Sequence, residues 1–159
     1  LPAVRRHVEI IERSPRELPD WITIPAVGAA CGAFAQILGG GAIEFLAAAA
    51  GAALAQWLRM ALHRARVTAV ALTAICALAG SLAAWGVTRL ADSQHPELAV
   101  IASVLLLVPG VPLVTSVIDL SNNDLVSGVT RGTLALMLAL AIGVGVLLTL
   151  WITGLRILP

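Results

Sequence analysis

The sequence predicts an all-α integral membrane protein with five transmembrane helices, the fourth broken at Pro109–Pro112. Of its 159 residues, 59% are hydrophobic and only 12% are charged, a composition that excludes an ordinary soluble domain. The charges are also clustered, and each uncharged interval is long enough to cross a bilayer. These intervals are residues 21–43, 67–88, 98–118 and 132–155.

A fifth span is predicted from about Gly41 to Leu58, with Glu44 as its single charge. Residues 21–159 then form one five-helix transmembrane domain. Residues 1–20 are polar, and Val4, Val8 and Ile11 recur at helical spacing. We interpret residues 1–20 as a cytoplasmic amphipathic lead-in, which is either the tail of a polar domain that precedes Leu1 or a surface segment alone.

The fourth span contains the run Pro109-Gly110-Val111-Pro112. Proline lacks a backbone N–H, and its ring clashes with the preceding turn, so the helix should break here. We expect two helical pieces, Leu98–Val108 and Leu113–Leu120, joined by an irregular turn. Backbone groups freed inside a membrane need protein or a water-filled cavity, and such breaks often lie at transport sites. Pro109 and Gly110 are therefore candidates for the substrate path.

The arginines predict the orientation of the spans. Ten arginines supply all the basic side chains apart from histidine, and eight of them fall on the side of the N-terminal segment. The opposite side has only Arg89 and Arg156. The positive-inside rule then places the N-terminus in the cytoplasm and the C-terminus outside. All four tryptophans lie near predicted helix ends, as interfacial indoles do: Trp21, Trp57, Trp85 and Trp151.

The composition also argues against several kinds of function. A net charge of +1 gives no reason to expect a nucleic-acid partner. Cys31 and Cys76 lie inside apolar spans and are interpreted as small buried residues, so neither a metal nor another cofactor is expected. The sequence shows no nucleophile–base pair, which argues against an enzyme, and no Walker-type phosphate loop, which favours secondary transport.

Small residues recur at the spacing that lets membrane helices approach closely. Gly28 and Gly32 form one G-x-x-x-G pattern, and Gly128 and Gly132 form another. These patterns have two interpretations. They either pack helices within one subunit or form a subunit interface or a sliding surface between moving helices.

The break is followed by a short polar signature: Asp119, Asp124, Ser127 and Arg131. Asp124, Ser127 and Arg131 share one helical face. Arg131 could bind a substrate carboxylate bidentately, and Asp124 could hold an ammonium group or a coupling proton. Alternatively, Ser121 and Asp124 form a capping box, and Arg131 reaches the cytoplasmic headgroups.

Two further carboxylates are candidates for the ion path. Asp119 is either an intramembrane functional acid or a residue in cytoplasmic water at the end of the span. Glu44 follows three glycines at the outer end of the first helical hairpin. It is either a charge at the membrane interface or part of an ion gate.

The sequence resembles the membrane part of the threonine/serine exporter family over nearly its whole length. One stretch that carries the resemblance is Leu107-Val108-Pro109-Gly110, Asp119-Leu120, Asp124-Leu125-Val126-Ser127-Gly128 and Arg131. The other is Trp21, Phe34, Leu38-Gly39-Gly40-Gly41 and Glu44. The family usually has aspartate at the position of Glu44 and glycine at that of Asn123. Asparagine tolerates the left-handed backbone that such a glycine adopts.

The resemblance implies the first half of a transporter in a bacterial inner membrane, with the second half either fused or on a separate chain. Split members of the family include a succinate-export pair. Our leading hypothesis is a subunit or half of a secondary transporter that exports threonine or serine, driven by the proton gradient. The alternatives are a dicarboxylate exporter subunit and a non-transporting membrane scaffold. The expected partners are the lipid bilayer, the small-molecule substrate and the second membrane half, and a homo-oligomer of the chain is a further option.

Overall fold

The computed structural model describes residues 19–63 and 68–155, and this part of the chain is helical without strands. We number its α-helices in chain order: α1 Asp20–Ile37, α2 Ala42–His63, α3 Ala69–Leu90, α4 Pro96–Val104, α5 Gly110–Ser121 and α6 Leu125–Thr153. A short 3₁₀ turn, Leu105–Leu107, follows α4. The predicted lead-in, residues 1–20, lies almost wholly outside the described residues.

Three helices are long and apolar enough to cross a membrane, namely α2, α3 and α6. A fourth candidate is α4 with its 3₁₀ turn followed by α5, a pair of segments bent by 54°. The first predicted span contains only a shorter apolar helix, Trp21–Ile37. The structure therefore supports a helical membrane protein with three or four spans, in which α2 is the span predicted at Gly41–Leu58, and a membrane crossing by α1 stays a prediction.

The helices form an antiparallel bundle with two ends. The end that we call the Glu44 end holds the α1–α2 and α3–α4 turns and the last turn of α6. The opposite end, the Asp119 end, holds the α5–α6 turn. Helix α3 is central, because it packs against α2, α4 and α6, whereas α5 packs chiefly against α6.

Glycines set the distances between the helices. A Cβ on Gly28 would lie 2.8 Å from the Ala49 carbonyl oxygen, and one on Gly51 would lie 2.5 Å from the Gly80 carbonyl oxygen. Neither approach leaves room for a larger residue. Both G-x-x-x-G patterns pack helices within the chain, Gly28 and Gly32 between α1 and α2, and Gly128 and Gly132 between α6 and α5. The first of the two interpretations of these patterns is thus confirmed.

A buried hydroxyl pair joins α3 to α6. The Ser81 Oγ and Thr149 Oγ1 atoms lie 2.6 Å apart, and both residues are fully buried. Such interhelical hydrogen bonds stabilise membrane bundles by about 0.6–2 kcal/mol each. Cys31 and Cys76 are buried and unpaired with each other, as the sequence predicted.

Candidate functional site

The fourth span is broken, but the break lies at Leu105–Pro109 and not at Pro109–Pro112, so the first helical piece ends at Val104 and not at the predicted Val108. The chain leaves regular α-helix after Val104, makes the 3₁₀ turn, and resumes as α5 at Gly110. Pro112 is therefore not part of an irregular turn. It lies in the first turn of α5, where a helix needs no N–H from proline and the fixed φ angle fits.

Few direct hydrogen bonds connect the two pieces across the break. The Val108 N–H donates to the Leu105 carbonyl oxygen at 3.1 Å, and the Gly110 N–H donates to the Val108 carbonyl oxygen at 2.8 Å. The Leu113 N–H then donates to the Pro109 carbonyl oxygen at 3.2 Å and starts the new helix. The backbone thus changes direction at Val108–Pro109 through short local bonds.

Gly110 faces open space at the start of α5. A Cβ built on it would meet no atom within 4 Å, and its φ angle is not positive. Neither packing nor backbone conformation therefore requires glycine at this position. Pro109, by contrast, is buried. A small molecule could approach the backbone of α5 at Gly110 without displacing a side chain there.

Helices α5 and α6 form a close hairpin at the Asp119 end. The Ser116 hydroxyl donates a 2.7 Å hydrogen bond to the Gly128 carbonyl oxygen across the hairpin. A Cβ on Gly132 would lie 2.8 Å from the Ser116 Oγ, and one on Gly128 would lie 2.7 Å from Leu120. The two glycines therefore fix the register of the hairpin.

This register brings Asp119 and Arg131 together. The Arg131 Nη1 atom lies 3.0 Å from the Asp119 Oδ2 atom, and the two side chains are 51% and 20% exposed. The same Oδ2 atom is buried and accepts no hydrogen bond from the described residues. The distance is therefore that of an ion pair. The guanidinium N–H is not directed at the Oδ2 atom, so this carboxylate oxygen has no hydrogen bond. The pair is held by charge more than by hydrogen-bond geometry.

The turn between α5 and α6 corrects the capping-box interpretation. Ser121 is the last residue of α5, and its hydroxyl bonds to the Val117 carbonyl oxygen. Asp124 is the N-cap of α6, without a side-chain hydrogen bond to the helix. Asn123 adopts the left-handed conformation with a φ of 61°. The N–H of Asp124 donates to the Asp119 carbonyl oxygen at 2.9 Å and closes the turn.

The structure separates the predicted site residues into distinct places. Gly110 and Asp119 are nine residues apart on α5, about 14 Å at 1.5 Å per residue. A small metabolite cannot touch both at once. Ser127 lies in the first turn of α6, half-buried, and Asp124 is exposed beside it. Arg131 pairs with Asp119 on α5. The site is therefore formed by an ion pair between two helices and not by the predicted common face of Asp124, Ser127 and Arg131.

Glu44 lies at the opposite end of the bundle and is only 6% exposed. Its Oε2 atom accepts a 2.6 Å hydrogen bond from the N–H of Gly41, which immediately precedes α2. Its Oε1 atom accepts a hydrogen bond from the Ser93 hydroxyl in the α3–α4 turn. Glu44 thus caps its own helix and joins two turns, and its position near the helix N-terminus suits a negative charge.

A pocket of about 240 Å³ opens beside this turn. It lies between the ends of α3 and α6 and the start of α4, and its polar lining includes Thr88, Arg89, Asp92, Ser93 and Thr153. The guanidinium of Arg89 lies 6.0 Å from the centre of the Trp85 ring, within the range of a cation–π contact. The pocket therefore lies at the end of the bundle opposite the Asp119–Arg131 pair.

Similarity to known proteins identifies the family of the chain. Residues 1–153 match the family model described as "Putative threonine/serine exporter". The chain belongs to the threonine/serine exporter family. Two relatives are each named "Probable succinate transporter subunit YjjP", one from Klebsiella aerogenes at 32% identity and one from Escherichia coli K12 at 34%. Each alignment covers 89% of this chain, which spans 55% and 56% of their lengths. No solved structure matches the chain.

Both departures from the exporter family pattern fit the structure. Asn123 keeps the left-handed turn that glycine would make, as the sequence predicted. Glu44 reaches both Gly41 and Ser93, and an aspartate there would be one methylene shorter. The longer side chain therefore allows one carboxylate to bond both turns.

Two polar residues were not identified as site residues from the sequence, namely Ser116 and Ser93. Ser116 bonds Gly128 across the hairpin. For Ser116, a signal was available: it lies six residues before the turn at Asn122–Asp124, and Gly128 and Gly132 lie four and eight residues after that turn, so two helices that pack antiparallel across the turn bring the three residues together.

Proposed function

We propose that this chain is one subunit of a two-component secondary transporter that exports a small dicarboxylate such as succinate. Family membership supports transport, and the two relatives named succinate transporter subunits support the substrate class and the need for a partner. The observation that carries the proposal is the broken span. It presents an open backbone at Gly110 and continues into a hairpin that holds Arg131 beside Asp119.

Arg131 is the proposed substrate ligand. A guanidinium binds a carboxylate through two parallel hydrogen bonds, and these charge-assisted bonds are about twice as strong as neutral ones. Arg131 is half exposed and so accessible from water. Helix α6 has 29 residues, about 43 Å, whereas the hydrocarbon core is about 30 Å thick. With Trp151 at one interface, Arg131 then lies about 20 residues away, at the other boundary of the core.

Export of threonine or serine is the second candidate, and the description of the matching family model favours it. An amino acid carries both a carboxylate and an ammonium group. Arg131 and Asp119 lie side by side with opposite charges and offer one partner to each group. In this alternative, Asp119 binds the substrate directly.

We also propose how the chain is oriented in the membrane. The chain crosses a bacterial inner membrane five times, with α1 as the first span and the Asp119 end in the cytoplasm. The arginine distribution supports this orientation. The Asp119–Arg131 pair then forms the cytoplasmic binding place, and the break lies deeper along the path. A second membrane half or subunit completes the transporter.

The test compares export of preloaded succinate, threonine and serine from cells that contain the full-length protein and its partner half. Gly110→Leu places a side chain in the open space at the break, and Arg131→Ala removes the proposed ligand. Gly143→Leu is the matched control, because a Cβ at Gly143 also meets no atom within 4 Å. We expect at least tenfold slower succinate export for the first two variants and near-normal export for the control.

Membrane levels of each variant are measured by immunoblot. Near-normal export by both Gly110→Leu and Arg131→Ala at normal membrane levels would refute the proposed path. Export of threonine and serine, without succinate, would select the second candidate.

A further inference from the structure

We infer that the pocket at the Glu44 end binds the headgroup of a membrane phospholipid, and that an apolar groove beside it holds an acyl chain. The headgroup that fits best carries a phosphate and a primary ammonium group, as that of phosphatidylethanolamine does. The pocket lies at the end of the bundle opposite the Asp119–Arg131 pair. Lipid binding there is therefore independent of the exported metabolite and of the proposed substrate path.

The pocket lies at the level where lipid headgroups are expected. Trp85 lines the pocket, and Trp151, 84% exposed, lies near the end of α6 on the same side. Tryptophan prefers this interface, because its ring is apolar and its N–H needs a polar partner. The pocket volume of about 240 Å³ corresponds to about eight water molecules at about 30 Å³ each. A phosphate joined to a short amine fits in this space.

An apolar groove continues the pocket along α6. Leu155 lines both the pocket and the groove. The groove has a volume of about 520 Å³, and the rest of its described lining lies on α6: Val144, Leu147, Leu148, Leu150 and Trp151. A polar pocket joined to an apolar groove matches the two parts of a lipid. A free phosphate compound would fill the pocket alone and leave the groove empty.

The charges of the pocket are complementary to a zwitterionic headgroup. Among its described lining residues, Arg89 is the one cation and Asp92 is the one acid. A guanidinium binds a phosphate through two parallel hydrogen bonds, and a carboxylate binds an ammonium group. Helix α4 begins at Pro96 beside the pocket, and its positive N-terminus adds to the phosphate site. A headgroup with a phosphate and no amine would leave Asp92 without a partner.

The hydroxyl groups of the pocket favour a ligand that donates hydrogen bonds. The hydroxyls of Thr88 and Thr153 each donate to a backbone carbonyl of their own helix at 2.7 Å. The Ser93 hydroxyl donates to the Glu44 carboxylate. A hydroxyl whose hydrogen is already committed can only accept from a ligand. A primary ammonium offers three donors, whereas the trimethylated ammonium of phosphatidylcholine offers none. Helices α3 and α6 both end at the pocket, and their partially negative C-termini also favour an ammonium group.

The experiment measures the thermal unfolding midpoint of the full-length protein in detergent while short-chain lipids are added. A ligand that binds only the folded state raises the midpoint as its concentration rises, so the titration gives a dissociation constant. The probes are phosphatidylethanolamine, phosphatidylglycerol and phosphatidylcholine with the same acyl chains, and water-soluble glycerophosphoethanolamine. For the wild type, we expect phosphatidylethanolamine to bind at least about fivefold more tightly than each of the other three.

Two substitutions separate the phosphate from the ammonium group. Arg89→Gln should weaken the binding of phosphatidylethanolamine and phosphatidylglycerol alike, by about fivefold, because both carry the phosphate. Asp92→Asn should weaken the binding of phosphatidylethanolamine alone. Asparagine is suitable there because it tolerates the left-handed backbone of Asp92, which has a φ of 51°. Arg59→Gln is the matched control, since Arg59 is an exposed arginine on α2 outside the pocket, and it should bind every probe as the wild type does.

Equal affinity of the wild type for the three lipids would overturn the inference and indicate non-specific lipid contact, and this comparison needs no variant to fold. Glycerophosphoethanolamine binding as tightly as phosphatidylethanolamine would also overturn it, because the groove would then contribute nothing. The same holds for unchanged phosphatidylethanolamine binding by Asp92→Asn, or for equal weakening by Arg59→Gln and Arg89→Gln. Failure of the wild type to export succinate would remove the proposed function and leave this lipid site standing.

Discussion

Substitution of Glu44 by alanine or glutamine distinguishes a structural role of this residue from a role in an ion gate. The Glu44 carboxylate accepts hydrogen bonds from the N–H of Gly41 and from the hydroxyl of Ser93, and it is buried. Loss of a helix cap costs about 1 kcal/mol, and loss of a buried hydrogen bond to a charged group costs about 1.5–3 kcal/mol. Glu44→Ala should therefore destabilise the folded protein by roughly 2–4 kcal/mol. Glu44→Gln keeps one acceptor oxygen and should cost about half as much.

The assay is the thermal unfolding midpoint of the detergent-solubilised protein, combined with export in cells. In the structural interpretation, Glu44→Ala lowers the midpoint strongly, and Glu44→Gln lowers it slightly and still supports export. Glu97→Gln is the control, because Glu97 belongs to the neighbouring helix and, among the described residues, its carboxylate pairs only with His95, at 3.3 Å. Loss of export in Glu44→Gln with an unchanged midpoint would refute this reasoning and support the gate.

Two further predictions concern backbone positions. Gly145→Ala places a Cβ 2.8 Å from the Ala74 carbonyl oxygen and should lower the unfolding midpoint, since overpacking costs about 1–3 kcal/mol. Gly143→Ala, two residues away and facing open space, should leave the midpoint unchanged or raise it, and an equal drop in both would contradict the packing argument. Asn123→Val should destabilise the α5–α6 turn by about 1–2 kcal/mol because of the left-handed backbone, whereas Asn123→Gly should be neutral in the same measurement.

The helical class and the break were predictable because they depend on local chemistry. Long uncharged intervals need a membrane, and a proline beyond the first turn removes a backbone hydrogen bond and favours a break in the helix. The extent of the break was not predictable in the same way. Proline at Pro112 is equally compatible with a loop and with a first helical turn, and only the place where α5 begins decides between them. The left-handed turn at Asn123 needed only the local preference of asparagine.

The pairing of Asp119 with Arg131 depends on tertiary structure and was missed. Asp124, Ser127 and Arg131 suggest a shared helical face, because i, i+3 and i+7 spacing is the usual signal. The turn at Asn122–Asp124 instead folds α5 back on α6, and Arg131 meets the acid on the other helix. Similarly, Glu44 and its partner Ser93 are 49 residues apart in the sequence, and no local sequence pattern reaches that far.

The packing of α5 indicates which part of the molecule is suited to move. Helices α1 to α4 and the second half of α6 are joined by close glycine contacts and by the buried pair of Ser81 and Thr149. Such contacts resist sliding, because backbone atoms already touch. Helix α5 packs chiefly against α6, and short local bonds at Val108–Pro109 connect it to α4. Rotation at that break would move Asp119 relative to the bundle while the packed helices stay in place. Because the Gly128 and Gly132 contacts hold α5 against the start of α6, these two segments would move together in such a rotation.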